Sequence, residues 1–209
     1  MRAGLRIATA SALWGSAFLA LAHLHVVPEK SLAPVFGAVL WLVACLALAR
    51  TRPRGQARRL VVTTAAVAVA LLAASIIELV IDKPLVPEIL AAVALLATMQ
   101  CFAATMAEIS YDLKLHRHEM SWELTGRFLF AVDIASMGVA LAWATDLVER
   151  RSSGRFRVTD VDLAPVNVAG RACLIAYVAV LAVAGARFAL STGRMFMWAR
   201  TPEDAPTRS

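Results

Sequence analysis

The sequence predicts an all-α fold, a bundle of helices crossing a lipid bilayer about six times, and three observations carry that expectation. Of the 209 residues, 60% are apolar and 17% charged, against roughly half and a quarter in a soluble domain. Several runs of about 20 residues carry almost no charge, and a helix of that length spans the roughly 30 Å hydrocarbon core. The strand alternation of a membrane barrel is missing, and lipid offers unpaired backbone groups no partner, which leaves helices. Too little polar surface remains to cover a soluble domain.

The first predicted span, 7–27, lies between Arg6 and the Pro28-Glu29-Lys30 break. Its Ser11-xxx-Gly15 spacing suits close approach to a second helix. The same stretch has another reading: Arg2 and Arg6, an apolar run and Ala20-Leu21-Ala22 resemble a signal peptide cleaved before His23. Five spans would then remain, oriented as before. The second span, 32–49, opens near Pro34, where a missing N–H does least harm, and stops at Arg50. The third, 60–81, lies between Arg59 and Asp82, and the fourth, 88–109, follows Pro84 and Pro87. For the fifth, 124–147, Ser121 is the expected cap, with Glu123 opposing the positive end of the helix dipole. The sixth, 172–190, has Arg187 near its end.

Residues 1–200 are expected to form one transmembrane domain, and the polar tail 201–209 to be disordered. The long connection 149–170 reads as an irregular surface loop, or as a small hairpin built on Phe156, Val158, Val161 and Leu163. Residues 112–123 read as a connector lying on headgroups, and Met195, Phe196, Met197 and Trp198 as an interfacial anchor.

Orientation follows from lysine and arginine. With the N-terminus inside, that side holds Arg2, Arg6, Arg50, Arg52, Arg54, Arg58, Arg59, Lys114, Arg117, Arg127, Arg194, Arg200 and Arg208. The other side holds Lys30, Lys83, Arg150, Arg151, Arg155, Arg157 and Arg171. Thirteen against seven predicts N-in, C-in. The arginines of 149–170 oppose this, and are tolerated if that segment is long enough to translocate despite its charge. The net charge of +6 then reads as contact with anionic headgroups of the cell membrane rather than with nucleic acid. Cys45, Cys101 and Cys173 stand alone in apolar runs, as packing residues and not a disulfide framework.

Ionisable residues at membrane depth are costly and functional by default. An outer layer collects His23, His25, Glu78, Asp82, Glu88, Asp146 and Glu149 at helix ends of one level. Glu78 and Asp82, four apart, share a helix face. His23, His25 and Asp146 are the candidate metal ligands, though His23 and His25, two apart on a helix, diverge too far to hold one ion together. An inner group holds Asp133, Glu108 and Gln100. At that depth Asp133 needs a partner or its proton, and Gln100 suits helix-bridging glue. Asp133, Glu108, Glu78 and Asp82 are therefore the residues expected to handle a proton or ligand.

The first functional expectation is a bundle that handles an ion, a proton or a lipophilic ligand. The alternative is a structural or regulatory subunit of a larger membrane complex, with other membrane proteins as partners. A metal-dependent membrane hydrolase ranks third. No nucleotide, zinc-protease or serine-hydrolase motif is present, the reading leans away from an enzyme, and no cofactor is indicated.

Overall fold

A computed structural model describes residues 1–23, 31–53, 55–80, 85–152 and 168–200. Within these, the side chains of 21–23, 78, 85–89, 140–152, 168–171, 173 and 174 stand outside the description. Six α-helices make up the described residues: α1 Arg2–His23, α2 Ala33–Arg50, α3 Gly55–Val80, α4 Leu85–Asp112, α5 His116–Ser152 and α6 Val168–Arg200. Among the described residues, four segments are long and apolar enough to cross a bilayer: Ala33–Arg50, Gly55–Ile77, Leu90–Asp112 and Ile175–Arg200. The chain is a polytopic membrane helix bundle.

The distribution of side chains fits a lipid solvent. Phe36, Leu46, Val62, Val69, Val93 and Ile175 are exposed, while Thr9, Thr64, Ser75, Thr98, Thr105 and Ser110 are buried. Water would reject so broad an apolar exterior; lipid tails accept it, and helices then associate through small residues and hydroxyls.

Most of those hydroxyls are satisfied within their own helix. Thr9 donates to the Leu5 carbonyl (2.9 Å), Ser75 to Leu71 (2.9 Å), Thr98 to Ala94 (2.7 Å), Ser110 to Met106 (2.7 Å) and Thr192 to Phe188 (2.7 Å). Each bond runs back one turn, the local partner available to serine and threonine inside a helix.

The chain forms two compact units, Met1–Gly126 with Phe188–Ser209, and Arg127–Arg187. In the first, α1 packs on α2, α2 on α3 and α3 on α4. The α1–α2 seam runs through Gly15, Leu19, Gly37 and Trp41, all buried. Gly15 lies at a close approach of the two helices, as its place in the sequence suggests. A Cβ on Gly15 would stand 2.8 Å from the Gly37 carbonyl oxygen, and one on Gly37 would stand 2.8 Å from that of Gly15. Further along, a Cβ on Gly4 would stand 2.8 Å from Thr51 Cγ2. A hydroxyl pair, Thr64 Oγ1 and Thr105 Oγ1 at 3.1 Å, links α3 to α4.

The centre of this unit is aromatic. Phe102 of α4 makes edge contacts with Trp41 of α2 (5.3 Å) and Trp122 of α5 (5.8 Å), and a tilted contact with Phe188 of α6 (6.1 Å). Phe188 in turn meets Trp41 and Trp122, both at 6.0 Å. All four rings are at most 2% exposed, and edge-on geometry suits the ring quadrupoles.

In the unit Arg127–Arg187, Leu129, Val132 and Ala184 are buried. Ser136 donates to the Val132 carbonyl at 2.7 Å. Arg187 is half-buried, and its Nε meets no acceptor among the described residues.

The structure moves several expected boundaries at the basic end. Helix α5 begins at His116 rather than near 124, so Ser121 is no cap. It is buried inside the helix, its Oγ 2.7 Å from Ser191 Oγ, which also lies 2.8 Å from Thr125 Oγ1. Glu119, not Glu123, is the acidic residue of the first turn. Residues 112–123 are thus not a connector: α4 ends in a tight turn at 113–115 and α5 starts at once. Helix α6 runs on to Arg200, so Arg187 is mid-helix, and Met195 is fully buried rather than an interfacial anchor. The connection expected over 149–170 narrows to 153–167, outside the described residues like the tail 201–209.

The turn between α4 and α5 has a Schellman geometry. Leu115 N–H donates to the Ser110 carbonyl (2.8 Å) and Lys114 N–H to Tyr111 (2.9 Å), the pattern in which the residue after the cap takes a left-handed conformation. Lys114 takes it, at φ 56°, and Arg52 does the same after α2, at φ 55°. There Arg52 N–H donates to the Ala49 carbonyl (3.1 Å), and Pro53 follows without an N–H for the second bond. Left-handed geometry costs an L-residue roughly 1–2 kcal/mol, which glycine avoids at the expense of unfolded-state entropy. Lys114→Gly is therefore expected to raise stability by about 0.5–1 kcal/mol, read as a higher midpoint in denaturant titration. An unchanged or lower midpoint would mean that the lysine side chain offsets its own strain.

Candidate functional site

The expected sites fare unequally. His25 and Asp82 lie outside the described residues, and so do the side chains of His23, Glu78, Glu88, Asp146 and Glu149. Among the described residues no three His, Cys, Asp or Glu side chains gather to hold a metal ion. Asp133 is half-buried on α5 and has an interaction partner, as does half-buried Gln100 on α4.

Glu108 lies near the C-terminal end of α4 in a shallow depression of about 170 Å³, lined also by Ala107, Tyr111, Glu119 and Glu123. Two of its carboxylates come from the first turns of α5, which the late predicted start of that helix concealed. Glu119 accepts from, or shares a proton with, His116 Nδ1 at 3.2 Å.

A larger site was not foreseen. A groove of about 560 Å³ runs between the start of α5 and the end of α6, lined by His118, Ala189, Leu190, Gly193, Arg194, Met197 and Trp198. Its volume falls within the range of small-molecule sites. Residues 190, 193, 194 and 197 share one helix face by their three- and four-residue spacing, a face that exists only because α6 continues past Leu190. That spacing was the available signal, and it required knowing that the helix continues.

The groove is lined mainly by apolar side chains: Leu190, 53% exposed, lies at one end, Arg194 stands one turn further on, and Met197 and Trp198 lie close to the helix terminus. Gly193 leaves the wall open, since a Cβ there would meet nothing within 4 Å. Trp198 is half-buried. The Arg2 guanidinium of α1 lies 4.9 Å from its ring centroid, a cation–π contact, and the His118 ring lies 6.3 Å away.

Burial pushes the His118 imidazole below its ordinary value of 6.5, and the Arg194 guanidinium adds to the effect. A histidine with a lowered folded pKa binds its proton better when unfolded. Its contribution to stability is fully present above 6.5 and is lost as pH falls through the folded value. The wild-type midpoint is expected to fall between pH 7.5 and 5.5 more steeply than that of His118→Gln, in thermal unfolding of both proteins. Parallel profiles would show that His118 titrates as it does in the unfolded chain.

Comparison with protein-family models, with curated proteins and with solved structures finds no match in any of the three.

Proposed function

We propose that this membrane bundle binds an amphipathic lipophilic ligand at its basic end, in the groove between α5 and α6. The observation that supports the reading is the groove itself: apolar Leu190, Met197 and Trp198 flank Arg194 and His118, with an open wall at Gly193. Lipophilic ligands need both halves, an apolar surface for the body and few polar groups to fix the head.

The basic end is taken to face the cytoplasm, with both termini inside the cell membrane. Supporting this, Arg2 meets Trp198 and Gly4 approaches Thr51. The start of α1, the end of α2 and the end of α6 thus lie together, and bring Arg2, Arg50, Arg52, Arg194 and Arg200 to one end of the bundle.

Native mass spectrometry after mild detergent extraction tests the ligand. Wild type is expected to retain a lipid-sized adduct, and Gly193→Leu, which fills the groove without a backbone clash, to lose it. Equal retention by both proteins would reject the reading.

A further inference from the structure

The geometry points to an anionic phosphodiester headgroup, that of an acidic glycerophospholipid of the facing leaflet, as the polar part of the groove's occupant. This rests on the proposed ligand reading and goes further, because it commits to the sign and chemistry of the head.

Charge decides the sign. Among the described residues lining the groove, Arg194 and His118 are the titratable ones. Arg194 is exposed on the groove wall, and a guanidinium offers a planar fork of donors that matches two phosphate oxygens. Arg2 sits over Trp198 and brings a second guanidinium to the same end. A quaternary ammonium head would need an aromatic face of its own, and Arg2 already holds one on Trp198. The Arg194 guanidinium would also repel that head.

The helix dipole opposes this assignment. The groove lies at the C-terminal end of α6, where the partial charge is negative. The side chains must therefore supply the recognition, and removing Arg194 should abolish it. Position decides the rest. From Leu190 to Arg194 the helix rises about 6 Å, and to Met197 about 10 Å. An acyl chain along Leu190 and a phosphate at Arg194 then have the separation and direction of a lipid in the leaflet. The tryptophan lies at headgroup depth, where indoles concentrate.

The test uses the full chain in vesicles of mixed phosphatidylglycerol and phosphatidylcholine, with one lipid brominated on its chains at a time. The fluorescence of Trp198, taken as the difference from Trp198→Phe, reports which lipid is adjacent. Brominated phosphatidylglycerol is expected to quench as though enriched about fivefold over its share of the bilayer, a fold-change typical of one basic residue near a membrane surface. Arg194→Gln is expected to bring quenching back to that share. If Trp198 follows bulk composition in wild type while Gly193→Leu still removes quenching by both lipids, the groove holds lipid without choosing its charge. The headgroup assignment then falls and the ligand reading stands. If Gly193→Leu leaves quenching by both lipids intact, the ligand reading falls and takes the assignment with it.

Discussion

Gly37→Ala is expected to destabilise the bundle by about 2 kcal/mol, the scale of an overpacked core, and Gly37→Leu by more. The new methyl would stand 2.8 Å from the Gly15 carbonyl oxygen and 2.8 Å from Leu19 Cγ. The leucine end can swing away, but a backbone carbonyl inside α1 cannot, so α1 and α2 must separate. Separation loosens the whole seam, including the edge contact of Phe18 with Phe36 at 5.5 Å. Within a bilayer that seam has little else to hold it, because lipid tails compete equally for apolar surface. Gly126→Ala is the matched control: nothing stands within 4 Å of its Cβ position, and alanine favours a helix interior by roughly 0.5–1 kcal/mol over glycine. Unfolding in mixed micelles with increasing SDS should place the two variants on opposite sides of wild type. A Gly37→Ala protein as stable as wild type would mean that the two backbones are not in contact.

Phe102→Ala carries the other large effect, a loss of about 2–4 kcal/mol by the same titration. Buried phenylalanines in water-soluble cores lose roughly 3–5 kcal/mol, part of it the transfer of apolar area from water. In a membrane the unfolded helix keeps Phe102 in hydrocarbon, so most of that transfer part vanishes and the packing part remains. It stays large because three rings, Trp41, Trp122 and Phe188, from α2, α5 and α6, each lose their contact at once. Phe102→Leu should recover much of the volume but not the edge geometry, and fall between the two. A small loss for Phe102→Ala, below about 1 kcal/mol, would show that the cavity collapses without strain.

The helices were legible because lipid permits so little else. Once water is excluded from the runs around Leu71 or Ala103, both now fully buried, only an internally bonded backbone survives. Hydropathy reports hydrocarbon, however, and not helicity. Helix α5 makes two polar turns from His116, and α6 runs about three turns past Leu190 to Arg200, across Arg194, where a reading by uncharged runs stops too soon. That one error hid the groove and also the company of Glu108. Gly15 was legible as a small residue; its partner Gly37 was not, because register between helices is absent from any single helix's pattern. The aromatic cluster was hidden for the same reason. His118 was hidden as well, because no pattern within one helix reveals a groove shared with α6.

The hydroxyls bonded to their own helices bear on how the protein is made. A segment that carries an unsatisfied serine or threonine into hydrocarbon leaves the aqueous channel that delivers it at a higher cost than one whose hydroxyls are bonded. Thr98 and Ser110 of α4 need no neighbour for this, since each finds its acceptor one turn back. Segments of this kind can partition sideways into the bilayer singly, in order of synthesis. The pairing of Thr64 with Thr105, and of Ser121 with Ser191, then belongs to a later assembly of spans already embedded. Ser121 lies on α5 and Ser191 on α6, so that particular latch closes only after α6 has been released.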